Sequence, residues 1–135
     1  MKDFLKKFLR DVYEGIYFLS RKHEGGNIDW FTINSRFIAS FFLYYVAVLL
    51  LLLGIIVTLY GPFKPGFFEV IIYGFGIYGG ICKFIIYPLL DRSEIDEEVT
   101  LSVKKDKMRK SIIAQAGGFL CLICSCTIVY FLYKK

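Results

Sequence analysis

The sequence predicts an all-α integral membrane protein, with an N-terminal amphipathic surface helix followed by three transmembrane helices. Three observations carry that expectation. The chain holds three apolar runs of more than 18 residues, the length a helix needs to cross a bilayer. Of its 135 residues 56% are hydrophobic, including 14 Phe and 10 Tyr, and a soluble domain of this size lacks the interior to hide them. The first twenty residues instead mix charged and apolar positions at helical spacing.

In the first helix, residues 2 to about 20, Phe4, Leu5, Phe8, Leu9, Val12, Tyr13, Ile16 and Tyr17 cover about half the wheel. Asp3, Lys6, Lys7, Arg10, Asp11 and Glu14 cover most of the rest. The segment is too charged to span, and its basic residues suit anionic lipid headgroups, so one expected position is flat on the membrane surface. The other is packed on a cytosolic partner or on the chain's own bundle. The start MKDFLKKFLRDVY scatters charges and offers no small-residue cleavage site, so no cleavable signal peptide is expected.

Arg21 to Asn27 reads as a turn, with Gly25 or Gly26 ending the helix in a left-handed conformation. Residues 1–26 thus form one unit and 27–135 a three-span bundle. His23, the only histidine, lacks neighbouring ligands and is expected in solvent rather than on a metal. Trp30 and Phe31 suit headgroup depth, and Asn34 or Ser35 is a candidate N-cap. The first span is expected over about 36–60. Phe37 to Tyr60 carries no charge, and Ser40, Tyr44, Ala47, Leu51, Gly54 and Thr58 share one face, where another helix can approach closely.

The Gly61–Gly66 turn, with Pro62 and Pro65, folds the second span back against the first. That second span, 67–90, reads FFEVIIYGFGIYGGICKFIIYPLL. At about 100° per residue, Glu69, Tyr73, Gly76, Gly80, Lys83 and Tyr87 form one stripe, a seam for a partner helix or a wet path. Lys83 sits about 10 Å inside one end of its helix, at the rise of an α-helix. It is therefore expected to line a polar pathway, meet a carboxylate or phosphate, or snorkel to headgroups. Glu69 is about 21 Å further along the axis, too far to pair with it.

Residues 91–110 are expected as a cytoplasmic loop, acidic first and basic later. Val99, Leu101 and Val103 alternate with Thr100 and Ser102, which suggests a short strand; the alternative is a solvated loop whose basic half begins the last helix. The third span, about 111–133, aligns Ser111, Ala114, Gln115, Gly118, Cys121 and Ser125. Lys and Arg concentrate before the first span and between the second and third, so both the N-terminus and the 91–110 loop are expected in the cytoplasm, with the C-terminus on the far side.

Catalytic chemistry finds little footing. Cys121-Leu122-Ile123-Cys124 has redox spacing but lies in an apolar span, where thiolate is disfavoured and no second ligand pair completes a zinc site. The order of a surface helix and three spans resembles the small prokaryotic diacylglycerol kinases in topology. That family's Glu-x-x-Asn-Ser/Thr signature is not matched: Glu69 stands near the wrong end, no Asn follows, and Lys83 occupies the place of an acidic residue.

No enzyme, cofactor, metal or nucleic-acid role is therefore expected. The expected function is a non-enzymatic subunit of a multi-pass assembly in the bacterial inner membrane. It joins a homo-oligomer or a membrane partner through Ala47, Gly54, Tyr73, Gly76, Gly80, Tyr87, Ala114, Gly118 and Ser125. Glu69, Lys83 and Gln115 are its intramembrane polar groups, bordering a polar path or pore, and its basic face meets anionic lipid or a soluble cytoplasmic partner. The alternatives are an immunity-type protein that blocks a membrane-active toxin, and a small transporter or holin-like pore.

Overall fold

The computed structural model describes residues 1–25, 28–62, 64–90, 95 and 97–134. They form four helices: α1 Lys2–Glu24, α2 Trp30–Tyr60, α3 Phe67–Leu89 and α4 Leu101–Lys134. The last three are long and apolar enough to cross a membrane, as in a multi-pass membrane protein. No strand occurs among the described residues.

Local chemistry explains the helix limits. Gly25 ends α1 at φ 53° and Gly61 ends α2 at φ 92°, backbone angles that cost glycine nothing. The choice of Asn34 or Ser35 as N-cap is corrected. Asp29, in extended backbone, accepts from the Phe31 N–H at 3.3 Å, so α2 starts at Trp30 rather than about 36. Asn34 instead accepts the Tyr13 hydroxyl at 3.2 Å, and Ser35 donates back to the Phe31 carbonyl. Gly26, the other candidate stop for α1, and the 26/27 boundary lie outside the described residues, as do Asp91, Glu94 and Asp96.

The loop expected over 91–110 is corrected too. From Leu101 onward it is helix, continuous with the third span, and the strand suggested by Val99, Leu101 and Val103 does not form. A lone strand has no mate to take its backbone hydrogen bonds. The helix satisfies them and gains the Asp106–Lys110 pair one turn apart, at 3.2 Å. The basic half of the segment thus begins the last helix.

α3 is not a uniform α-helix. Ile72–Gly76 and Cys82–Ile86 are π turns, in which Ile77 N–H bonds the Ile72 carbonyl and Tyr87 N–H the Cys82 carbonyl. Pro88 accounts for the second: it lacks an N–H and its ring crowds the carbonyl of Phe84, so the helix widens there. The widening also has a packing use. Tyr78, Cys82, Ile86 and Leu90 are spaced four apart, a step that drifts about 40° per turn in an α-helix, and the wider π turn takes up that drift.

α4 packs along α2 over most of its length, and α1 lies across α4 and the start of α2. The buried core sits where these helices meet the end of α3. Leu9, Val12, Tyr13 and Ile16 of α1 join Ile33 and Phe37 of α2, Leu90 and Ala114. Tyr13 meets Phe37 edge to face, with ring centroids 5.4 Å apart. Away from that end the apolar sides of α2, α3 and α4 are mostly exposed, a surface that hydrocarbon rather than water would cover.

Candidate functional site

Three contacts between helices set the frame of the site. The first joins α1 to α4. Gly15 lets the two backbones touch: a Cβ there would stand 2.7 Å from the Lys107 carbonyl carbon and 2.9 Å from Ser111 Cβ. Two acids flank that glycine. Asp11 accepts from Lys110 at 2.8 Å, and Glu14 accepts from both Arg10, at 2.6 Å, and Lys107. Asp11 and Glu14 are only 8% and 6% exposed, so these pairs lie at a desolvated contact. Sequence reasoning put both acids on the outer face of α1. Their sign, opposite to that of the 104–110 segment, is the signal that could have placed them.

The second contact joins α2 to α4 through small residues. Ser40, Ala47 and Gly54 of α2 are buried, as are Ser111, Ala114, Gly118 and Ser125 of α4. A Cβ at Gly118 would meet Leu43 Cβ at 3.1 Å, and one at Gly54 would meet Val129 at 2.9 Å. The Tyr44 hydroxyl donates to the Ala114 carbonyl, inserting a polar tie in the apolar seam. Ala47, Gly54, Ala114, Gly118 and Ser125 are thereby brought together inside one chain.

The third contact holds α3 by rings. Phe42 stacks on Phe75 at 5.6 Å, and Tyr78 packs edge-on against Phe42 at 5.1 Å. Tyr78 donates its hydroxyl to the Ile38 carbonyl, and Tyr45 donates to that of Tyr73. These aromatic anchors were missed from the sequence, because 100° steps do not hold through π turns.

Of the stripe read on α3, Tyr73 joins these contacts through its backbone carbonyl, while Glu69, Gly76, Gly80 and Lys83 are not brought to them. Nothing lies within 4 Å of a Cβ built on Gly76 or Gly80. Tyr73 is 54% exposed, Tyr87 is half-buried, and Lys83 lies exposed with its ammonium 5.7 Å from the Phe84 ring centre. Glu69 stays at the helix start, where its carboxylate accepts the Gly66 N–H at 3.2 Å. Cys121, Cys124 and Cys126 are exposed free thiols on α4, and Cys82 is buried.

Between α1, α2 and α4 lies an open crevice of about 720 Å³. Ser20, His23 and Arg36 stand at one end, Leu43, Ile112 and Phe119 form its walls, and Gln115 reaches it from α4. Arg36 donates to Ser20 Oγ at 2.6 Å and to Glu24.

The segment before α4 is tied to α1 as well. Glu97 accepts from both Tyr17 and Arg21. The Tyr17 hydroxyl bond, then Arg21, hold the Glu97 carboxyl below its ordinary range, and the same carboxylate pushes the Tyr17 phenol up. The Trp30 indole stacks on Tyr17, ring centres 6.3 Å apart.

No protein-family model, curated protein or solved structure matches this chain.

Proposed function

We propose that the chain is a non-enzymatic membrane subunit that assembles with a second copy, or with another membrane protein, through the open side of α3. One observation carries the reading. The small-residue faces of α2 and α4 are used up inside the chain, whereas a Cβ built at Gly76 or Gly80 meets nothing within 4 Å. Glycine positions that let helix backbones approach are otherwise a cost to helix stability. An assembly through this side places Tyr73 and Tyr87 at the contact and leaves Lys83 to border any polar path it encloses.

The Lys- and Arg-rich ends of α1 and α4 then face the cytoplasm of a bacterial cell across its inner membrane. The first turns of α1 support a place at the lipid surface, because Phe4 and Leu5 stand exposed beside Lys6 and Lys7. That basic face meets anionic headgroups or a soluble partner.

The test is the mass of the purified chain in mild detergent and in bilayers, for the wild type and for Gly76→Leu with Gly80→Leu. The expected result is a defined oligomer for the wild type and its loss in the double variant, with the helix content and melting of the monomer kept. An unchanged oligomer in the double variant refutes the α3 seam. A wild-type chain that stays monomeric in bilayers removes self-assembly and favours a blocker that waits for a membrane-active toxin.

A further inference from the structure

We infer that the crevice between α1, α2 and α4 is a binding site for one anionic phospholipid, held by its phosphate at Arg36 and His23 and by its acyl chain along Leu43 and Phe119. The inference stands on the membrane placement of the chain and does not depend on the α3 seam.

Depth makes the match. Arg36 immediately precedes the charge-free stretch of α2, and Ser111 immediately follows the last charge before the charge-free stretch of α4. The polar end of the crevice therefore lies at headgroup level. Its walls run inward to Leu43 and Phe119, seven and eight residues beyond those marks, or about 10 to 12 Å along the helices. A volume of about 720 Å³ suits a slender ligand, or part of a larger one, that is charged at one end and apolar for the rest.

Gln115 separates this ligand from plain hydrocarbon. Its amide is half-buried on the crevice wall, four residues past Ser111 and so about 6 Å inward, and it has no hydrogen-bond partner among the described residues. An amide at that depth requires a partner, because hydrocarbon supplies none. The ester carbonyls of a phospholipid sit just below its phosphate, where the Gln115 NH2 can donate to them. At the mouth, Arg36 uses one nitrogen for Ser20 and another for Glu24, and a guanidinium with five N–H donors keeps donors for a phosphate oxygen. The His23 ring N–H supplies a second.

The chain is reconstituted in vesicles of equal phosphatidylglycerol and phosphatidylcholine, extracted in mild detergent, and weighed by native mass spectrometry. One retained phospholipid is expected, with phosphatidylglycerol favoured about fivefold, because both lipids offer the phosphate but the choline cation of phosphatidylcholine stands beside the Arg36 guanidinium and is repelled by about 1 kcal/mol. Gln115→Leu lowers total occupancy about fivefold, one hydrogen bond's share, while Arg36→Gln keeps a lipid but loses the headgroup preference. Ala39→Trp, on the crevice wall, fills the space and abolishes retention. Circular dichroism reports whether each variant folds, and Gln115→Leu, a change toward a more apolar side chain at bilayer depth, decides if Ala39→Trp does not. Wild-type protein that carries no lipid, or equal retention in Gln115→Leu, overturns the inference. So does displacement of the lipid by soluble glycerol phosphate, which would mark a bare anion site. Retention in the Gly76→Leu, Gly80→Leu chain separates this site from the α3 seam.

Discussion

Gly15→Ala is the sharpest probe of how α1 is seated. The added methyl would stand 2.7 Å from the carbonyl carbon of Lys107 and 2.9 Å from Ser111 Cβ, and closer still to the Lys107 oxygen. Ordinary carbon–oxygen contacts lie at about 3.3 Å or more. The obstacle is helix backbone, which cannot rotate aside, so α1 must retreat by roughly 1 Å, the gap between the built position and that contact distance. Overpacking of this kind costs about 1–3 kcal/mol. The retreat also stretches the Glu14–Lys107 and Asp11–Lys110 bonds, and weakening each adds up to about 1 kcal/mol. The expected loss is thus about 1–5 kcal/mol, offset by the roughly 1 kcal/mol by which alanine exceeds glycine in helix propensity. Two assays read it: melting of the purified protein in detergent, and tryptic cleavage at Arg10 and Arg21, which rises as α1 lifts. Gly66→Ala is the control, because nothing stands within 4 Å of its Cβ. Equal melting and equal cleavage for Gly15→Ala and the wild type would refute the seating of α1 on α4.

Gly118→Leu pushes a side chain into Leu43 and Tyr44 and should lower detergent stability by about 1–3 kcal/mol, measured as a drop in melting temperature; no drop would mean α2 and α4 do not meet there. Tyr78→Phe keeps the ring contacts but removes the bond to the Ile38 carbonyl, so a loss of about 1 kcal/mol and faster hydrogen exchange in α3 are expected, and unchanged exchange counts against that tie. For Glu97 the folded carboxyl is lowered, so its contribution is full above the unfolded value of about 4.3 and is lost as pH falls through the folded value. The Tyr17 phenol is raised, so its contribution holds below about 10 and is lost as pH rises through its folded value. Trp30 fluorescence, beside Tyr17, should therefore be flat near neutral pH and change in acid, and Glu97→Gln should remove the acid step; an acid step that survives in Glu97→Gln assigns it elsewhere.

The three apolar helices were legible because run length alone sets whether a segment can span, and length survives any error in register. The small-residue faces of α2 and α4 follow straight helical spacing, so Ala47, Gly54, Ala114 and Gly118 can be aligned on paper. α3 defeats the same arithmetic. Each π turn changes the angular step, and the rings that pack on α2 prove to be Phe75 and Tyr78, outside the stripe drawn through Gly76 and Gly80. α1 was hard for another reason. Asp11 and Glu14 look like solvent-facing residues until Lys107 and Lys110, over ninety residues away, supply their partners. A single sequence carries no record of which distant charges meet. The crevice is likewise a property of three helices together, so no stretch of residues announces it.

The way α3 is hung has a mechanical consequence. Its ties run from Tyr73 to Leu90, while Phe67 to Ile72 is exposed throughout, like the facing end of α2 at Leu59 and Tyr60. A rod clamped along part of its length and loose at the tip bends before its clamped neighbours do. Bilayers of different thickness act on hydrophobic segments with fractions of a kcal/mol per Å. That load falls on the loose tip, so α3 is the limb that tilts to fit the membrane while α2 and α4 hold the frame.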